Sequence, residues 1–441
     1  MNKIKNKKAI VAIIFLNLTI GLTVRSQTIT VGDSLTLNAV IEAAIMGHPS
    51  IKLAEEAVNN SDSRIALAET GYYPEADLVA NYSNMGPVVS LTVPDMGTFH
   101  LFPENSYSAS LNYRQTVYDF GRTKESIKLE KENKELNKQA VEQSKQRLSI
   151  AAITNFYTLV YIQAAIKIKD EQIAALNTHL HNLEKMRATG SATEYQLLST
   201  KVRISAAESQ KIDLEASMKS QQAVLNSLMG RDQNIVPVVK SDLYTAVPLM
   251  SRDSLMPFAY QNRDEIRLLE KRKSLAEMKY ALVKLTNDPV ISFMATGGLK
   301  NGYIPNLNEI RPNYVVGVGI RVPIFDGMKN KYNLQQANST IASIGYEAES
   351  AKLSVTNEVI EAEVHVSSSS AKVRQATLQL EEAINAYSLA ETSFSSGIIT
   401  NLDLLYASTA VSESRLNLLK SKIDYSTSIF RLRAALGERL Y

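Results

Sequence analysis

Gly190-Ser191-Ala192-Thr193-Glu194-Tyr195-Gln196-Leu197-Leu198 returns as Gly397-Ile398-Ile399-Thr400-Asn401-Leu402-Asp403-Leu404-Leu405, with the glycine, the threonine and the leucine pair each displaced by 207 positions. The same offset sets Tyr118-Asp119 on Phe325-Asp326, each followed within two residues by a glycine (Gly121, Gly327), and Leu228-Met229-Gly230 on Ala435-Leu436-Gly437. Earlier, Ile51 to Pro74 and Ile266 to Pro289 both span 23 residues, at an offset of 215. A spacing that stays constant over so long a stretch marks an internal duplication. The repeats are placed at 34–230 and 255–437, with 231–254 as the linker between them.

The glycine signatures bound long uninterrupted stretches. Residues 122–189 and 193–229 contain neither Gly nor Pro, and 328–396 and 400–436 hold only Gly345. Glycine at the end and none within is the pattern of a helix with a defined stop. The longer stretches predict helices about 100 Å long at 1.5 Å per residue, which must lie side by side in a coiled-coil-like array.

Ahead of each long pair come stretches with period two. Tyr107, Ala109, Leu111 and Tyr113 share one face, opposite Ser108, Ser110, Asn112 and Arg114. Leu78, Ala80 and Tyr82 alternate with Asp77, Asn81 and Ser83, with Val79 breaking the polar side. In the second repeat Tyr314, Val316, Val318 and Ile320 lie opposite Gly317, Gly319 and Arg321. Strands are therefore expected at about 75–83, 106–118, 290–297 and 313–323, joined by surface loops at 84–104 and 297–312. Such alternation suits a soluble sheet as well as a membrane-crossing one. Tyrosines near the strand ends (Tyr72, Tyr73, Tyr82, Tyr107, Tyr113, Tyr118) and export favour the membrane. Leu111 and Val318 then face lipid, and Ser110 and Arg321 face away. Four strands cannot close a barrel, since about eight are the minimum. The strands must be pooled, and three chains would supply twelve.

The export signal lies in residues 1–26. Lys3, Lys5, Lys7 and Lys8 precede the largely apolar run from Ala9 to Val24, and Val24-Arg25-Ser26 offers a cleavage site before Gln27. No later stretch reaches 18 consecutive apolar residues, so the mature chain is expected to lack a spanning helix and to enter a membrane only as a barrel. The chain has 441 residues, 48 Lys+Arg against 45 Asp+Glu, and five of those cations fall in the first 25 residues. The remainder is near neutral, with no electrostatic reason to bind nucleic acid. With no Cys there is no disulfide framework, thiolate metal site or cysteine nucleophile.

Catalytic chemistry finds no foothold. His48, His100, His179, His181 and His365 lack ligand spacing and read as ordinary solvated residues, so no metal or cofactor is expected. The lysine–glutamate run from Lys124 to Lys138 reads as the wet face of a long helix. Ser367–Ser370 reads as a solvent-facing patch or a hydrophilic channel lining.

The ordered, duplicated signals resemble the TolC-type outer-membrane efflux protein family. The resemblance is carried by Leu35-x-x-x-Ala39 and Leu255-x-x-x-Ala259, His48-Pro49, Tyr73-Pro74, the exits Tyr118-Asp119-Phe120-Gly121 and Pro323-Ile324-Phe325-Asp326-Gly327, the Gly-x-x-Thr turns, and Gly230 and Gly437. It implies a homotrimer whose twelve-stranded barrel crosses the Gram-negative outer membrane and continues as a periplasmic α-helical barrel. Such a channel docks to a periplasmic adaptor and an inner-membrane pump and conducts passively. Gly190, Thr193, Gly397 and Thr400 would mark the docking tips. Asp403 falls at the family's constriction carboxylate, Tyr406 replaces its second acidic residue, and Gln196 and Ser199 are the first-repeat equivalents. A latch arginine would fall at Ile399. Asp403 also suits the first turn of the last helix on helix electrostatics alone. The rival readings are a periplasmic coiled-coil adaptor, which would carry one hairpin between mirrored flanks, and a structural coiled coil, which would carry no alternating strands.

Overall fold

The computed structural model describes residues 35–95, 97–240 and 252–441. The export segment 1–26 and the centre of the linker lie outside the described residues. The first repeat begins with α1 (Leu37–Gly47) and α2 (Pro49–Glu69), separated at His48. The His48 ring accepts from the Ser50 amide at 3.1 Å and Pro49 takes the first helical position, where its missing N–H costs nothing. Strands β1 (Glu75–Asn84), β2 (Ser90–Val93), β3 (Gly97–His100) and β4 (Asn105–Tyr118) follow, then α3 (Arg122–Ala188) and α4 (Glu194–Leu228). The second repeat runs α5 (Arg252–Asn262), α6 (Asp264–Lys284), β5 (Val290–Lys300), β6 (Arg311–Arg321), α7 (Lys329–Ser395) and α8 (Asn401–Ala435). Helix lengths match pair by pair: 11, 21, 67 and 35 residues in each repeat.

Both exits into the long helices are made the same way. The Asp119 carboxylate accepts from the Thr123 amide at 2.7 Å, and Asp326 accepts from the Asn330 amide at 2.8 Å. Each aspartate thus satisfies an orphan donor of the first turn. Those contacts, with Asn287, hold the Asp326 carboxyl below the usual range.

The helices form one layer. α3 packs against α2, α4, α6 and α8, and α7 packs against α5, α6 and α8. The row therefore reads α2 with α4, then α3, then α6 with α8, then α7, and towards the turns α4 also meets α8 directly, Ile204 and Ala207 packing with Leu405. The main sheet has the order β1-β4-β5-β6, all antiparallel, which is the same row one level up. Each short pair makes a second line beside a long helix. At one junction Gly47 and Gly230 touch, so that a Cβ on Gly47 would stand 2.1 Å from the Met229 carbonyl oxygen. At the other, Gly437 lies against the backbone of Asn262 and Arg263.

The middle of α3 is long and apolar enough to cross a membrane by length and composition. Here it is a core helix. Ile153, Phe156, Tyr157, Leu159 and Val160 are buried against Val40, Ala44, Leu225 and Met229. A second core joins Leu255 and Ala259 of α5 to Val355, Val359 and Val366 of α7 and Leu432 of α8.

The register aligns side chains across all four strands. Leu78, Leu111, Gly297 and Tyr314 are successive partners, as are Ala76, Tyr113, Ala295 and Val316. Opposite residues of an antiparallel ladder share a face, so one face is apolar from edge to edge. The other carries Asp77, Asn112 and Thr296 in a hydrogen-bonded chain, Asn112 Nδ2 to Asp77 at 2.9 Å and Thr296 Oγ1 to Asn112 at 3.2 Å. Ser110 and Arg321 lie on this polar face, Leu111 and Val318 on the apolar one.

Three expectations are corrected here. The segment 84–104 is not a plain loop: β2 and β3 form a hairpin within it, and His100 is a strand residue paired with Ser90. The second hairpin's strands run on to Lys300 and start at Arg311, so its loop is shorter than the Gly and Pro content suggests. The charge run on α3 is also more than a wet face. Lys134 reaches Asp62 of α2 at 2.6 Å and Glu132 reaches Lys271 of α6 at 3.0 Å, because α3 has a helix on each side.

Candidate functional site

The far end of the helix layer holds two five-residue turns, 189–193 and 396–400. Gly190 and Gly397 both take positive φ, +79° and +73°, which closes each helix with a left-handed residue. The chain restarts on matched capping boxes. Thr193 Oγ1 accepts from the Gln196 amide at 3.3 Å while the Gln196 side chain accepts from the Thr193 amide at 2.7 Å. Thr400 and Asp403 repeat this at 3.3 and 2.9 Å, with the Thr400 hydroxyl donating to the same carboxylate oxygen at 2.6 Å. Those Thr400 donors hold the Asp403 carboxyl below its ordinary range. Asp403 is therefore a helix-start residue by geometry, and its exposed position leaves the carboxylate facing solvent as well.

The two turns are tied together by a residue that the sequence did not single out. Asn401, 3 % exposed, donates through Nδ2 to the Gln196 carbonyl, Ser199 Oγ and Thr200 Oγ1, each at 3.3 Å. Its Oδ1 lies 2.6 Å from His179 Nε2. The His179 ring also meets Phe394 edge to face at 5.5 Å. His179 is thus not an ordinary solvated residue: it joins α3 to the start of α8. One signal was present in the sequence. Asn401 precedes Leu404 and Leu405 at helical spacing, and a polar residue on a buried stripe needs buried partners.

Gln196 and Ser199 are therefore brought to α8 through Asn401, while Tyr406 meets Arg203 of α4, whose guanidinium stands 5.1 Å from the ring centre. Asp403 and Gln196 occupy equivalent places in their own boxes. Ile399 carries no charge, and Arg187 and Glu194 pair across the first turn only.

A sheet with one apolar and one polar face, continued by a layer of helices about 100 Å long that ends in paired turns, is a wall segment of a conduit. The family model for outer membrane efflux protein matches residues 40–231 and 255–438. The chain belongs to the outer membrane efflux protein family, whose members are transport channels and not enzymes. It is 23% identical over 346 residues to the alkaline protease secretion protein AprF of Pseudomonas aeruginosa, covering 76% of this chain and 70% of that one. It is 20% identical over 407 residues to the outer membrane protein TolC of Vibrio cholerae, covering 90% and 92%. The fold is shared with the solved structure of CusC at a TM-score of 0.77 and 18% identity, over 91% of this chain and 92% of that chain.

Proposed function

We propose that three copies of this chain close into one tube that crosses the outer membrane and continues through the periplasm, passively conducting solutes delivered by an inner-membrane pump through a periplasmic adaptor. The observation that carries this is the shared row. Next to the sheet, both levels leave the same two sides unpaired, β1 with α2 at one edge and β6 with α7 at the other, while α4 meets α8 only towards the turns. An open strand edge is a liability unless another strand covers it. Joining β6 to β1 of the next copy removes both edges of the four-stranded sheet, and twelve strands exceed the minimum for a barrel. Strands of 10 to 14 residues are long enough to cross a bilayer at a tilt. The mature chain starts near Gln27, the repeats span 34–230 and 255–437, and 231–254 joins them. Extraction from membranes should require detergent, and the product should migrate as a trimer that heating converts to monomer. A monomer before heating would refute the assembly.

The helix-turn end is the gate in this reading, with Asp403 and Tyr406 of three copies at the constriction and Gly190, Thr193, Gly397 and Thr400 at the tips that meet the adaptor. Three carboxylates near one axis attract cations. Asp403→Asn keeps much of the cap while removing the charge. Single-channel recordings should then show weaker cation preference and weaker block by divalent ions, with trimer stability little changed. Because Thr400 lowers the Asp403 pKa, the capping contribution is present above the unfolded carboxylate pKa and is lost only as pH falls through the lower folded value. Cation preference should persist to the same acidic limit. Identical selectivity in wild type and variant would remove Asp403 from conduction and leave it as a cap.

A further inference from the structure

The junction between sheet and helices carries a band of exposed apolar side chains. Ile324 is 96 % exposed, Phe325 79 %, and their first-repeat counterparts Val117 and Tyr118 61 % and 54 %. The counterparts settle whether a neighbouring copy would hide Ile324 and Phe325. β4 already has strands on both sides, β1 and β5, yet Val117 and Tyr118 at its end stay exposed. Adding a partner strand to β6 therefore leaves the equivalent side chains uncovered. Tyr118 pairs with Ile291 on the apolar face, and its ring contacts Phe120 at 4.8 Å.

Directly beneath this band sit four exposed cations, Arg122 and Lys124 on α3 and Lys329 and Lys331 on α7. They occupy the first and third positions of each long helix, and the two pairs are 207 residues apart. Helix electrostatics disfavours cations at a helix start, so local stability does not explain their repeated placement. Nearby acids do not pair with them. Asp119 and Asp326 are taken up in capping the helices, and Glu125 lies 3.9 Å from Lys128. Among the described residues none of the four makes an ion pair, although Lys331 lies 5.9 Å from the Tyr332 ring centre.

We propose that these residues form a collar that selects anionic phospholipid headgroups in the inner leaflet of the outer membrane. The apolar band enters the acyl region while the cations lie at the depth of the lipid phosphates. This rests on the trimeric barrel reading, which puts the helix layer on the periplasmic side. Polybasic positions at a membrane surface favour anionic lipid by about 1 kcal/mol each, roughly fivefold per cation in close contact.

Spin-labelled phosphatidylglycerol and phosphatidylcholine would be compared as probes in vesicles of phosphatidylcholine containing the purified protein. The lipid fraction immobilised at the protein surface should be enriched in phosphatidylglycerol by about two- to fivefold, and the enrichment should shrink in high salt. A variant carrying Arg122→Gln, Lys124→Gln, Lys329→Gln and Lys331→Gln should immobilise the same number of lipids with a ratio near one. A wild-type ratio near one, or an unchanged ratio in the variant, overturns the collar and leaves the barrel standing. Absence of any immobilised lipid overturns both.

Discussion

Gly47→Ala is expected to destabilise the folded protein by about 3 kcal/mol, at the upper end of overpacking costs. The added methyl would lie 2.1 Å from the Met229 carbonyl oxygen, and that neighbour is backbone, with no rotamer to change. Relief requires pulling the corner between α1 and α2 away from the end of α4, beside the packing of Val40, Ala44, Leu225 and Met229. Gly47 has no positive φ, so backbone strain adds nothing and close approach is the whole effect. Gly345→Ala is the matched control. That glycine lies inside α7 with nothing within 4 Å of a Cβ, and alanine there should stabilise by about 0.5–1 kcal/mol. Thermal or denaturant midpoints of the two purified variants should move in opposite directions. A Gly47→Ala protein as stable as wild type would show that the two backbones do not meet as described.

The second large effect separates the two faces of the sheet. Leu111→Arg places a cation on the apolar face, between Leu78 and Gly297 in the register, and should cost about 2–4 kcal/mol near the bilayer midplane. Ser110→Arg, one residue away, points to the face that carries Asn112, Asp77 and Thr296, where water is available. Its cost should be much smaller. Denaturant titration of the protein folded into vesicles gives both numbers. Equal costs would mean that neither face meets lipid.

Much of this architecture was legible because it depends on local rules repeated twice. Stretches bounded by Gly190, Gly230, Gly397 and Gly437, with Gly345 the one glycine inside them, describe helices whether or not their neighbours are known. The alternation at Tyr107–Arg114 and Tyr314–Arg321 likewise describes a two-faced strand. The helix-turn end was only partly legible. Thr400 and Asp403 announce a helix start through their spacing. The fourfold hydrogen bonding of Asn401 depends on Gln196, Ser199, Thr200 and His179, which come from α3 and α4 and become neighbours only when the repeats pack. His179 consequently read as solvated. The same holds for Lys134 and Glu132, which look like a surface run until α2 and α6 flank α3. The β2–β3 hairpin was hidden by the Gly and Pro content around it. Gly47 gave no signal, since a glycine at a helix end is common and its use against Met229 is a long-range contact.

The measurement that bears most directly on the central claim is electron cryomicroscopy of the detergent-purified protein. The expected particle is three-fold, with β6 of each copy paired to β1 of the next in a closed barrel that opens into a helix-walled bore narrowing at the turns near Asp403. A particle with a different copy number, or one whose helices pack into a solid rod without a bore, would contradict it.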